Sequence, residues 1–203
     1  MDLVQVAWVP DDDPERDWSI AAGLAVDWVE QRCSEEKASG VLVTHSVGTT
    51  NVPELRDFTR RHAHTSRLAS SDRVGAGFGP VLSYVPDEED LYFAMQLARK
   101  SSIAVVEATS FPLFGWASWF EARNLITGDV ALPLDEPVRE AVDRLHFNSN
   151  NNFGDPFGKQ QARSILDKIS MDDGTSDVIL GAVLAAGVRP NGVRNLRRLI
   201  EAL

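Results

Sequence analysis

Cysteine is almost missing from this chain of 203 residues. Cys33 stands alone, which excludes an internal disulfide and fits a reducing compartment. Histidine is scarce too, and the few Cys and His are too scattered for the spacing of a zinc site. No metal and no cofactor is therefore expected. No apolar run approaches the ~18 residues of a membrane span. The opening Met-Asp-Leu-Val-Gln carries an acid where a secretory leader carries a base. These absences point to a cytoplasmic protein with no membrane partner. Phosphate-loop signatures are missing as well: Gly154-Asp-Pro-Phe-Gly158-Lys159-Gln160 lacks both the spacing and the hydroxyl of the P-loop. Gly75-Ala-Gly77-Phe-Gly79 precedes a strand, whereas a dinucleotide loop must follow one and open a helix.

The apolar fraction of 43% is that of an ordinary globular chain. A domain of this size buries roughly 70% of its extended surface, so no staple is required. The net charge of −10 repels nucleic acid at long range, yet it is unevenly placed. Residues 1–40 hold ten acids against three bases, while residues 41–80 hold five Arg against three acids. One basic face gathers Arg56, Arg60, Arg61, His62, His64 and Arg67; a second lies near the C-terminus.

The centre of the chain is Gly79–Asp129. Val81–Val85 and Ile103–Val106 bracket a helix expected over Asp87–Arg99, and another helix is expected over Gly115–Leu125. Val-Ala-Val-Val without alternation reads as a strand covered on both faces. Leu3–Val9 and Gly40–His45 supply two more strands, each followed by a helix. Asp13 is placed to cap the first helix with Pro14 at its first position, and Pro53 starts the second, which runs to about His64. Beyond residue 130 the pattern turns helical, with an Asn- and Gly-rich loop over 146–158. Further helices are expected over Lys159–Ile169, Asp177–Ala186 and Asn191–Leu203, with a break at Asp172–Ser176. The fold expected is α/β: a three-layer, Rossmann-like parallel sheet of about four strands over residues 1–130, then a helical region over 131–203.

Ligands of open parallel sheets lie outside the strand carboxyl ends. Those ends offer Asp11, Asp12, His45, Ser46, Tyr84, Asp87, Glu107 and Thr109. Glu107 leaves a buried strand, where a bare carboxylate is costly, so it needs a partner. Asp11, Asp12 and Asp13 are read as helix-capping acids rather than a cation site. Trp116, Trp119 and Phe120, with Phe111 and Phe114, are read as packing rather than as a binding wall.

Thr44-His45-Ser46-Val47-Gly48 is similar to the nucleophile elbow of α/β-hydrolases, with Thr in place of the first Gly; Asp129 or Asp135 and then His146 follow in the order such a triad takes. Val183–Leu196 resembles a helix-turn-helix, its second helix lined by Arg194, Asn195, Arg197 and Arg198 after Arg189. Three functions follow. The first is a non-catalytic binding or adaptor protein, taking a small ligand or protein partner at the strand-end crevice or the Asn-rich loop. The others are a DNA-associated protein and a small serine hydrolase or nucleotide-processing enzyme.

Overall fold

The computed structural model describes residues 2–47, 51–69, 78–108, 111–169 and 173–203. Among them are one all-parallel sheet of six strands and eight α-helices, an α/β fold with a Rossmann-like sheet. The strands are β1 (Val6–Val9), β2 (Val41–Val43), β3 (Ala63–Thr65), β4 (Val81–Tyr84), β5 (Ile103–Val106) and β6 (Arg123–Asn124), in the spatial order β3-β2-β4-β5-β1-β6. The chain forms two compact units, Met1–Phe111 with Ala122–Val130, and Pro112–Glu121 with Ala131–Leu203.

In the sheet unit, β5 is the most deeply placed strand. It pairs in register with β4 and β1, and its four side chains are buried. Alternation divides the sheet between two cores. Ala7, Val9, Leu42, Leu82, Ala104 and Val106 share one face with Ala21, Ala25 and Val29 of α1 (Trp18–Glu36) and with Leu55 and Phe58 of α2 (Pro53–Thr59). Val41, Val81, Ile103 and Val105 point the other way, and α3 (Glu88–Leu97) packs on β4 through its own buried face of Leu91, Ala94 and Met95. Burying both faces is what allows strands without alternation.

Several expected boundaries are corrected. The second helix ends at Thr59, and Ala63–Thr65 is a strand instead, pairing with Val41–Val43. Buried backbone groups along the outer side of β2 need partners, and this short strand supplies them. The helix expected over Gly115–Leu125 stops at Phe120, with Glu121 in the left-handed region at φ 51°. Arg123–Asn124 then closes the other edge beside Ala7–Trp8. Six strands therefore replace the four expected, because three- and two-residue edge strands leave no periodicity to read. At the first helix the cap is Asp17, whose carboxylate accepts from Ser19 N at 2.8 Å. Asp13 instead accepts from Glu15 N in a turn that precedes the helix.

The helical unit contains α4 (Phe114–Phe120), α5 (Glu136–Phe147), α6 (Pro156–Leu166), α7 (Asp173–Ala186) and α8 (Pro190–Ile200). Both α6 and α7 begin earlier than expected. Asp155 caps α6 through Gly158 N at 2.8 Å, so Pro156, Phe157 and Gly158 are helical rather than loop. Likewise α8 starts at Pro190 and ends at Ile200. The expected break at Asp172–Ser176 falls partly outside the described residues; Gly174, Thr175 and Ser176 lie within α7.

The two helices α4 and α7 touch backbone to backbone. A Cβ on Gly115 would lie 1.9 Å from Val178 O, and one on Gly181 would lie 2.9 Å from Trp116 N. Only a residue without a side chain fits there. Gly115→Ala is expected to cost about 3 kcal/mol of stability, the upper range for overpacking. Urea denaturation followed by fluorescence of Trp116 and Trp119 measures this; a loss under ~0.5 kcal/mol would contradict the close approach.

Candidate functional site

The strand order locates the candidate site. From β2 the chain moves outward to edge strand β3, whereas from β4 it moves the opposite way to β5. Connections leaving adjacent β2 and β4 thus diverge, and such a switch point is where open parallel sheets bind ligands. Just past these two strands come Thr44, His45 and Ser46 on one side and Val85, Pro86 and Asp87 on the other.

His45 and Asp87, both read from the sequence as ligand residues, are brought together here with a third group. His45 Nδ1 lies 2.9 Å from Asp90 Oδ2 and 3.9 Å from Asp87 Oδ2. Asp87 is the N-cap of α3, accepting from Asp90 N at 2.8 Å. The Asp90 side chain turns toward His45 and is only 1% exposed, whereas His45 is 62% exposed. Asp90 Oδ1 has no hydrogen-bond partner; Arg67 Nε stands 3.7 Å away, and its Nη2 pairs with Glu89 at 2.9 Å. Burial pushes the Asp90 carboxyl above the usual range. The hydrogen bond to Asp90 in turn holds the His45 imidazole above its ordinary value. Asp87, Glu89 and Asp90 together outnumber the cationic partners here, Arg67 and His45, so the crevice favours a cationic occupant.

The backbone holding this site is constrained on both sides. Thr44 Oγ1 donates to Ser46 O at 2.9 Å and accepts from His64 Nε2 at 2.8 Å, tying the β2 exit to β3. Burial lowers the pKa of His64, in keeping with a neutral ring in this bond. Across the crevice, Val85 has a φ of 51°, and its N–H donates to Val106 O at 3.0 Å. A β-branched residue in the left-handed region is strained.

No family, curated protein or solved structure matches this chain. The reading therefore rests on its own geometry.

The remaining candidates are placed as follows. Glu107 Oε2 accepts from Asp11 N at 3.0 Å, so this carboxylate joins the β5 exit to the β1 exit. The cavity beside it, about 30 Å³, has room for water but not for an organic ligand. Asp12 pairs with Arg16 at 2.6 Å and Asp13 closes its own turn, so the three consecutive acids diverge. Tyr84 stacks edge-on against Trp18 with centroids 6.3 Å apart, on the sheet face opposite α3. Thr109, Gly75 and Gly77 lie outside the described residues, as does Gly48 of the elbow-like segment.

Ser46 follows β2 without a helix opening at it, since α2 begins at Pro53; Asp129 sits in the turn after β6, and His146 belongs to α5 of the other unit. Among the described residues, no helix opens at Ser46 as the strand–Ser–helix corner of a hydrolase requires. The basic face of the second helix is largely neutralised: Arg60 pairs with Asp57, Arg61 and His62 with Glu30, and Arg67 with Glu89. In the helical unit, Gly187 at φ 110° turns α7 into α8. Asn195 Nδ2 donates to Asn152 O at 2.9 Å, and Arg198 Nη1 donates to Asn195 Oδ1 at 3.3 Å. Arg194 donates to Asn191 Oδ1, while Arg189 is exposed. The Asn-rich loop is thus an ordered turn, with Asn152 and the fully buried Phe153 both left-handed.

Asp90 is the member that sequence reasoning missed. Its signal was present in Pro86-Asp87-Glu88-Glu89-Asp90, where the cap and the third helical residue are both Asp. Val85→Gly should relieve the strained corner and raise stability by roughly 1 kcal/mol, despite the lost side chain. Chemical denaturation of the two proteins tests this, and a destabilised glycine variant would show the corner to be unstrained.

Proposed function

We propose that this chain is a non-catalytic binding protein that takes a small, positively charged ligand in the crevice between the carboxyl ends of β2 and β4. One observation carries the reading: at the diverging point of the sheet, His45, Asp87 and the buried Asp90 converge from two elements distant in sequence. The strained Val85 corner beside them supports it, because such geometry persists where surroundings enforce it. A cytoplasmic location, inferred from the lone Cys33, goes with this reading. Among the described residues no helix is long and apolar enough to cross a membrane.

The test is thermal-shift screening in a chelating buffer against amines, amino acids and nucleotides. At least one cationic class should raise Tm, and both His45→Ala and Asp87→Asn should abolish the rise while Arg198→Ala keeps it. No shift from any class, or shifts indifferent to the crevice variants, would refute the proposal.

A second reading, duplex DNA contact through α7 and α8, is favoured by the exposed Arg189 and Arg198 around the Gly187 turn. It predicts retardation of duplex DNA at ~50 mM salt that fades steeply as salt rises. Unretarded DNA at that salt ends this alternative.

A further inference from the structure

Among the described residues, His45, Asp87 and Asp90 form the one set of three metal-capable side chains whose donor atoms lie within 4.8 Å of one another. The donors come from two separate elements, the exit of β2 and the first turn of α3, so the set is made by the fold and not by a run of acids. One imidazole nitrogen and two carboxylate oxygens is a donor set suited to first-row divalent ions. Spacings of 2.9 and 3.9 Å from Nδ1 to the two oxygens let a single ion at about 2.0–2.4 Å reach all three.

A second, independent observation concerns Asp90. Its side chain is 1% exposed, yet Oδ1 has no hydrogen-bond partner and Arg67 Nε is too distant to provide one. Arg67 compensates this oxygen only as an ion pair at 3.7 Å without a hydrogen bond, and a cation bound directly to the buried carboxylate would compensate it more fully. The Ser83 hydroxyl, on the α3 side of β4 and wholly buried, also lacks a partner. By contrast His45 and Asp87 are open to solvent, so an ion has access and its remaining positions can hold water or a ligand group.

We infer that His45 Nδ1 and the carboxylates of Asp87 and Asp90 bind one divalent transition-metal ion of the Zn²⁺ or Mn²⁺ class at the β2–β4 crevice. This deepens the crevice reading and rests on it. Binding moves the ring proton of His45 to Nε2, leaving Nδ1 as the donor atom. The two carboxylates supply the negative charge that the ion neutralises, and Arg67 remains paired with Glu89.

Isothermal titration of the full chain with Zn²⁺ and separately with Mn²⁺, against Mg²⁺ and Ca²⁺, tests the inference. The expected result is one ion bound per chain for Zn²⁺ or Mn²⁺, at least about tenfold tighter than Mg²⁺ or Ca²⁺. His45→Ala, an exposed substitution that leaves the fold intact, should weaken the tight ion at least about tenfold, and Asp90→Asn should do so equally. His146→Ala should change nothing. No stoichiometric binding below ~1 mM, or binding that His45→Ala leaves unaltered, overturns the inference. The titration uses ions alone and the ligand screen excludes them, so failure of one is distinguishable from failure of the other.

Discussion

Backbone pairing along β5 is the constraint from which the rest follows. Its N–H and C=O groups are fully buried, and parallel ladders with β4 and β1 satisfy them on both sides. Parallel pairing requires each return to pass over a face of the sheet, which is why helices cover both. The same requirement fixes the direction in which every strand ends. All six strands therefore end at one rim, while the apolar side chains between the strand exits remain out of water.

At that rim, charge decides what is structural and what is open to a ligand. Glu107 emerges from the best-buried strand and is met by the Asp11 amide, so its burial serves to join two strand ends. Asp90 emerges one helical turn into α3 and is buried still more deeply, but one of its oxygens has no hydrogen bond and only the Arg67 ion pair at 3.7 Å. The difference is where the chain goes next. Beside Glu107 the β1 exit, from Pro10 to Arg16, lines a cavity of about 30 Å³; between β2 and β4 the described exits bring His45, Asp87 and Asp90 together. Volume alone does not mark a site: the helical unit has a groove of about 650 Å³ lined by Phe114, Leu132 and Val178, and among the described residues it holds no set of three metal-capable side chains.

Much of the fold was legible because long-range burial leaves local marks. Ile103–Val106 reads as a doubly covered strand and is one; Asp87 reads as a helix opener and caps α3. The marks fail where an element is short or where several caps compete. Ala63–Thr65 and Arg123–Asn124 are strands only because β2 and β1 offer unpaired edges. Asp13 and Asp17 both suit a helix start, and packing of the α1 face against the sheet selects the later one. For the site, His45 and Asp87 were visible as strand-end residues, but Asp90 looked like an ordinary acid of a first helical turn.

The sequence by itself determined the class of fold, the strands that form its interior and the acids that open its helices, since hydrophobic periodicity and capping are local properties of the chain. Only the tertiary structure decided the strand order, and with it which exits become neighbours. That order sets β2 beside β4, so a histidine and an aspartate separated by 45 residues come within 2.9 Å. The reason is physical: register and adjacency depend on backbone hydrogen bonds between distant segments, and no local pattern of side chains encodes them.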